Sequence, residues 1–150
     1  MGKLKYKNKG QQGSVLITVA VLSLILILAT ALVIDLGKAF MFKAELNKAC
    51  MVAAEESIKC IDLNQAKNYG KNILTDDFEE VLLDFFYKNI HNKDALKIQE
   101  INYDVVESIE NPKYIKVFCT ADIDCVFLKI IGINKITVHS FSNGRLRRLK

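Results

Sequence analysis

Few side chains in this 150-residue chain could do chemistry, and they are scattered: Cys50, Cys60, Cys119 and Cys125, His91 and His139, the acidic cluster Asp76, Asp77, Glu79 and Glu80, and Asp35 beside Gly37. A thiol oxidoreductase uses C-x-x-C, whereas five residues stand between Cys119 and Cys125. Zinc needs ligands at short spacing, and neither the cysteines nor the two distant histidines form such a set. The acidic cluster opens a helical segment, where the helix dipole favours carboxylates without any cation. No G-x-S-x-G, phosphate-loop, dinucleotide-loop or H-E-x-x-H pattern occurs. The expectation is a non-enzymatic protein with no catalytic residue, metal, cofactor or small-molecule substrate.

The elements that hold these residues begin with a membrane-length segment. Ser14 to Ile34 is a run of twenty-one residues without a charge, about 31 Å as a helix and so one hydrocarbon core. Lys3, Lys5, Lys7 and Lys9 precede it with no acid among them, while residues 35 to 150 hold seventeen basic and seventeen acidic side chains. The net charge of +4 therefore belongs to the flank of the span. It reads as topology, with the N-terminus cytoplasmic and the C-terminal part extracytoplasmic, rather than as a nucleic-acid footprint. The chain divides into a basic flank (1–13), a transmembrane helix (14–34) and an extracytoplasmic domain (35–150), with membrane lipid as the first partner. A rival reading is a cleaved secretory signal ending at Ala29-Thr30-Ala31, but the apolar run continues without a turn through Leu32, Val33 and Ile34.

Past the span, Leu36, Ala39, Phe42, Leu46, Ala49 and Ala53 recur at spacings of three and four with charges between them, which extends one helix from Ser14 to Lys59. Small residues at Ala49, Cys50, Ala53 and Ala54 suit close approach of a sheet or another helix. Asp62 or Asn64 can cap a short helix up to Leu74, and Asp76 with Glu79 suggests a capping box for a helix carrying Phe78, Leu82, Phe85 and Phe86. From Leu96 the period becomes two. Ile101, Tyr103 and Val105 alternate with polar residues, and Ile115 to Phe127 does so after an Asn111-Pro112 turn. Ile136, Val138 and Phe141 form a third strand after Gly132-Ile133-Asn134. The expected fold is α+β and pilin-like: a long N-terminal helix, short helices and a three-stranded antiparallel sheet packed on its outer half.

The topology places all four cysteines where disulfides persist. Pairing Cys50 with Cys60 and Cys119 with Cys125 fails on geometry, because regular elements separate those pairs by about 15 and 20 Å against a limit near 7 Å. A helix-to-sheet bridge and four free thiols remain as equal readings. Asp35 has two readings as well: an acceptor for a cationic or hydrogen-bonding group of a partner subunit, with Gly37 permitting close approach, or the solvated outer end of the span.

Residues Gln12 to Ala54 resemble the N-terminal segment of TadE/TadG-like proteins of the tight-adherence (Flp-type) pilus machinery. The resemblance rests above all on Ala31-Leu32-Val33-Ile34-Asp35-Leu36-Gly37-Lys38, Leu46-Asn47-Lys48-Ala49 and Ala53-Ala54. Phe127 to Gly132 and Ile136-Thr137-Val138 also look like that family's strand, glycine turn and closing strand. The resemblance implies a structural or assembly role in such a pilus or a related secretion apparatus. Its other subunits would be the partners, with Asp35, Gly37, Leu46, Asn47, Ala49 and Ala53 as interaction positions. Lys9-Gly10-Gln11-Gln12-Gly13 is similar to a prepilin leader, with cleavage after Gly10 or Gly13. Two departures matter. Filament-forming pilins carry a glutamate five residues into the mature helix, and here that position is Val15 or Thr18. An apolar residue near Met51 also replaces the aspartate usual before the paired alanines. The first favours an uncleaved static anchor over a polymerising pilin, and the second speaks against a polar role at that helix position. The alternative is a membrane-tethered or secreted extracellular binding module unrelated to pili.

Overall fold

The computed structural model describes residues 9–92 and 94–145, and side chains from residue 13 onward. The first element is a single helix, α1, Lys9–Ser57, of 49 residues. It contains no proline, and Gly13 and Gly37 do not interrupt it. Residues 13 to 30 are exposed throughout, and α1 is long and apolar enough to cross a membrane. The hydroxyls of Thr18, Ser23 and Thr30 donate to carbonyls of the preceding turn at 2.9, 2.8 and 2.8 Å. Such back-bonding satisfies them without water.

After α1 the chain forms α2, Leu63–Tyr69, where the Asp62 carboxylate accepts from the amides of Asn64 and Gln65 at 2.8 and 3.2 Å. This helix stops five residues before Leu74, because Gly70 takes a left-handed φ of 65° and closes it. Leu74 instead pairs with Ile61 in an isolated bridge. Helix α3, Phe78–Lys88, follows Asp77. The capping box expected from Asp76 and Glu79 does not form. Asp77 makes no side-chain bond to the helix and accepts the Thr75 hydroxyl instead.

The sheet is an antiparallel meander in the order β1-β2-β3. Its strands are β1, Leu96–Ser108, β2, Asn111–Asp124, and β3, Lys135–Gly144. The hairpin turn is Ile109–Glu110, so Asn111 and Pro112 lie in β2 rather than in the turn. Proline lacks an amide donor and is tolerated near a strand's start. Here it faces Glu107, the residue with φ of 82° at a register shift. Strand β2 ends at Asp124, three residues before Phe127, and the following segment coils into a 3-10 turn, Leu128–Ile131, closed by Gly132 at φ 87°.

Alternate β2 residues Ile115, Val117, Cys119, Ala121 and Ile123 face α1, which presents Phe42, Leu46, Ala49, Cys50 and Ala53; α3 adds Phe78, Leu82 and Phe86. The two helices thus cover one face of the sheet, and the small stripe on α1 admits it closely. The tightest approach is at the end of β3, where a Cβ on Gly144 would lie 1.9 Å from the carbonyl oxygen of Ala54. Only glycine fits that position.

Candidate functional site

Of the polar groups that the sequence singles out, Asp35 stands where α1 leaves its apolar half, and Lys38, Lys97 and Asp124 gather beside it. Asp35 is 2% exposed. Its carboxylate accepts three successive backbone amides, from Val126 at 3.0 Å, Phe127 at 2.9 Å and Leu128 at 2.7 Å. One turn further on, Lys38 donates to the Asp124 carbonyl at 3.2 Å, and Lys97 bonds the Asp124 carboxylate at 2.8 Å. Burial opposes ionisation of Asp35, but the three amides and the Lys38 charge outweigh it and hold its pKa below the usual carboxylate range. The hydrogen-bonding groups that Asp35 receives come from its own chain, and it is neither solvated nor unpaired. It ties the β2–β3 connection to the helix.

A second carboxylate, which the sequence did not single out, does the same ten residues further along α1. Glu45 accepts the amides of His91 and Asn92 at 2.5 and 3.2 Å and the Asn92 side chain at 3.2 Å, fastening the segment after α3. Burial raises its pKa, and these donors more than reverse the effect. Glu45 looked like one more charge on the helix's wet face; its partners lie 46 and 47 residues away, beyond any local signal.

The other expected interaction positions divide. Leu46, Ala49 and Ala53 are fully buried against the protein's own sheet and α3. Asn47 accepts from Ser140 of β3 at 2.5 Å. Gly37 is exposed, with no atom near where a side chain would stand. It belongs to a face of Val33, Gly37, Phe40, Ala44 and Met51, all exposed and spaced by four, three, four and seven. Phe40 is 70% exposed and Met41 beside it 75%. Nothing among the described residues covers this face. Helix α1 runs through Gly10 and Gly13, while residues 1–8, with Lys3, Lys5 and Lys7, and the basic tail 146–150 lie outside the described residues.

All four cysteines are free; Cys50, Cys119 and Cys125 are buried and Cys60 partly so. Burial raises each thiol pKa. At Cys60 nearby carboxylates add to the rise, at Cys50 the Ser140 hydroxyl opposes it, and at Cys119, facing Cys50 across the helix–sheet interface, it reaches about 12. Thiols so disfavoured as thiolates pack as small apolar groups rather than act as nucleophiles. Among the described residues no group of three or more His, Cys, Asp or Glu is placed to hold a metal ion.

On the sheet's open face, Asp122 is 4% exposed beneath Lys135 and Thr137 of β3, at 2.5 and 2.6 Å, and Gln99 of β1 at 3.3 Å. The Lys135 and Thr137 bonds lower its pKa against the opposing effect of burial. This network joins three strands and, like the Asp35 and Glu45 clamps, has its partners within the chain. Two surface grooves are apolar: one lies between the 3-10 turn and α1, another between Leu36, Ala39, Phe40 and β3. No family model, curated protein or solved structure matches the chain.

Proposed function

We propose that the protein is a non-enzymatic structural or assembly subunit of a Tad/Flp-type pilus or related secretion apparatus. It would be anchored by residues 14–34, with residues 1–13 cytoplasmic and residues 35–150 extracytoplasmic. The observation that carries this reading is the unbroken α1. One rigid rod runs from an apolar segment exposed everywhere but at Ala31 into the core of a folded domain, so a force or displacement on the domain would reach the membrane without a hinge. Just beyond the span the same rod carries an uncovered apolar face built on Gly37, Phe40 and Ala44. Exposed apolar patches on soluble surfaces mark contacts with other proteins, and small residues let helices approach closely. The resemblance of Gln12 to Ala54 to TadE/TadG-like proteins supplies the identity of the neighbours.

Photo-cross-linking from position 40 in the native cell tests the reading. The expected adduct contains a pilus or secretion-apparatus subunit, and deletion of the gene removes surface pili or secretion. Absence of a protein adduct together with normal pili overturns it. Mass spectrometry of the mature N-terminus then sorts the variants: an intact start marks a static anchor, a start at Gln11 or Ser14 a processed prepilin. A start at Leu32 marks a secreted module and ends the anchor reading.

A further inference from the structure

The segment Val126 to Ile133 follows β2 and contains six apolar residues, one glycine and a single charge, Lys129. Leu128 is buried, but most of the side chains point outward: Ile130 is 75% exposed, and Val126, Ile131 and Ile133 are each more than two-fifths exposed. In water such a loop would be an unexplained apolar patch. Its position along α1 supplies the explanation. The loop and helix enclose a groove of about 350 Å³ between Phe127, Leu128 and Ile131 on one side and Ile25, Leu28 and Leu32 on the other. Ile25 is ten residues before Asp35, about 15 Å down the helix axis. The loop therefore lies alongside the last turns of the apolar run, a position that falls at the depth of the hydrocarbon when α1 spans a bilayer. Ala31, which it covers, is the one buried residue between Ser14 and Ile34.

Six of the loop's amides find partners inside the protein. Asp35 takes the amides of Val126, Phe127 and Leu128, while those of Ile130, Gly132 and Ile133 donate within the loop at 3.1 Å each. A non-helical segment survives at membrane depth only when its amides find partners inside the protein.

We infer that the Val126–Ile133 loop is a second membrane contact, entering the leaflet on the domain's side and taking a phospholipid acyl chain into its groove against α1. Lys129, exposed on the same turn, reaches back to the headgroups with its stem in the apolar layer. The inference rests on α1 spanning the bilayer. With two contacts the domain cannot swivel about α1, which fixes the direction its open sheet face presents.

The protein has no tryptophan, so single tryptophans report depth directly. Leu22→Trp in the span, Ile130→Trp in the loop and Phe141→Trp on the open sheet face all replace exposed side chains. The full chain is reconstituted in nanodiscs of phosphatidylcholine and phosphatidylglycerol, with and without brominated acyl chains. The expected result is that bromine removes most of the emission of Leu22→Trp and Ile130→Trp and leaves Phe141→Trp unchanged. Quenching of Leu22→Trp without Ile130→Trp overturns the loop contact and keeps the span. A blue-shifted but unquenched Ile130→Trp also overturns it, since protein rather than lipid then covers the loop. An unquenched Leu22→Trp removes the span itself, and the loop contact with it.

Discussion

Residues 14–34 and 39–57 of α1 are both rich in aliphatic and small side chains, yet the first stretch buries only Ala31 while the second buries Ala39, Phe42, Leu46, Ala49, Cys50, Ala53, Ala54 and Ser57. Apolar content alone does not decide which environment a helical segment takes. The outer half interleaves lysine and glutamate with its apolar residues at helical spacing, so one side stays wet and the other meets the sheet. The inner half is apolar all round, and such a helix with almost no protein around it is long and apolar enough to cross a membrane. Asp35 marks the change of environment and fastens the sheet's β2–β3 connection there.

Substituting the same residue in the two halves sharpens the contrast most. Leu46→Ala is expected to destabilise the folded domain by about 2–5 kcal/mol, as large-to-small changes in packed cores do. Leu26→Ala should leave the domain's denaturant midpoint unchanged, because Leu26 is 67% exposed and touches no core. Chemical denaturation of both variants in detergent, followed by near-ultraviolet circular dichroism, checks this; equal losses would mean that the inner half also packs within the protein.

A smaller effect is expected at the closest contact of the outer half. Gly144→Ala forces a methyl group into the Ala54 carbonyl and should cost about 1–3 kcal/mol, as overpacking does. Gly37→Ala, on the uncovered face of the same helix, should be neutral or slightly stabilising, since alanine is the better helix former. Thermal unfolding of the two variants reads the difference.

The smallest and most local effect is at the junction. The folded-state pKa of Asp35 is depressed, so its clamp is fully present above the unfolded carboxylate value of about 3.9 and is lost as pH falls through the folded value. Hydrogen exchange at Val126, Phe127 and Leu128 should accelerate, after correction for the intrinsic rate, below about pH 4. Asp35→Asn should give the same local acceleration at neutral pH and abolish its pH dependence, with amides in the core of β2 unaffected.

The elements were largely legible in the residues. The uncharged run, the switch from a period of three to four to a period of two, and the glycine at 132 announce the long helix, the three strands and their second turn. The errors fall where local chemistry had two solutions. Gly70 ended α2 early, Pro112 sat in a strand because a bulge faced it, and Phe127 left the strand because the chain coils beneath Asp35. The expected interaction set was legible only in part. Leu46, Ala49 and Ala53 carry the same pattern whether an apolar stripe meets its own sheet or another subunit.

By itself, the sequence determined the rod, its uniformly apolar and amphipathic halves and the strand pattern, because each follows from charge and hydropathy read over neighbouring residues. The tertiary structure alone decided what the carboxylates do and which apolar faces stay open. The amides that Asp35 accepts lie 91 to 93 residues further along the chain, and the partner of a buried charge at that separation is fixed by how the sheet docks on the helix. The same docking consumed one face of α1, left the Gly37–Phe40 face uncovered and carried the Val126–Ile133 loop down beside the span.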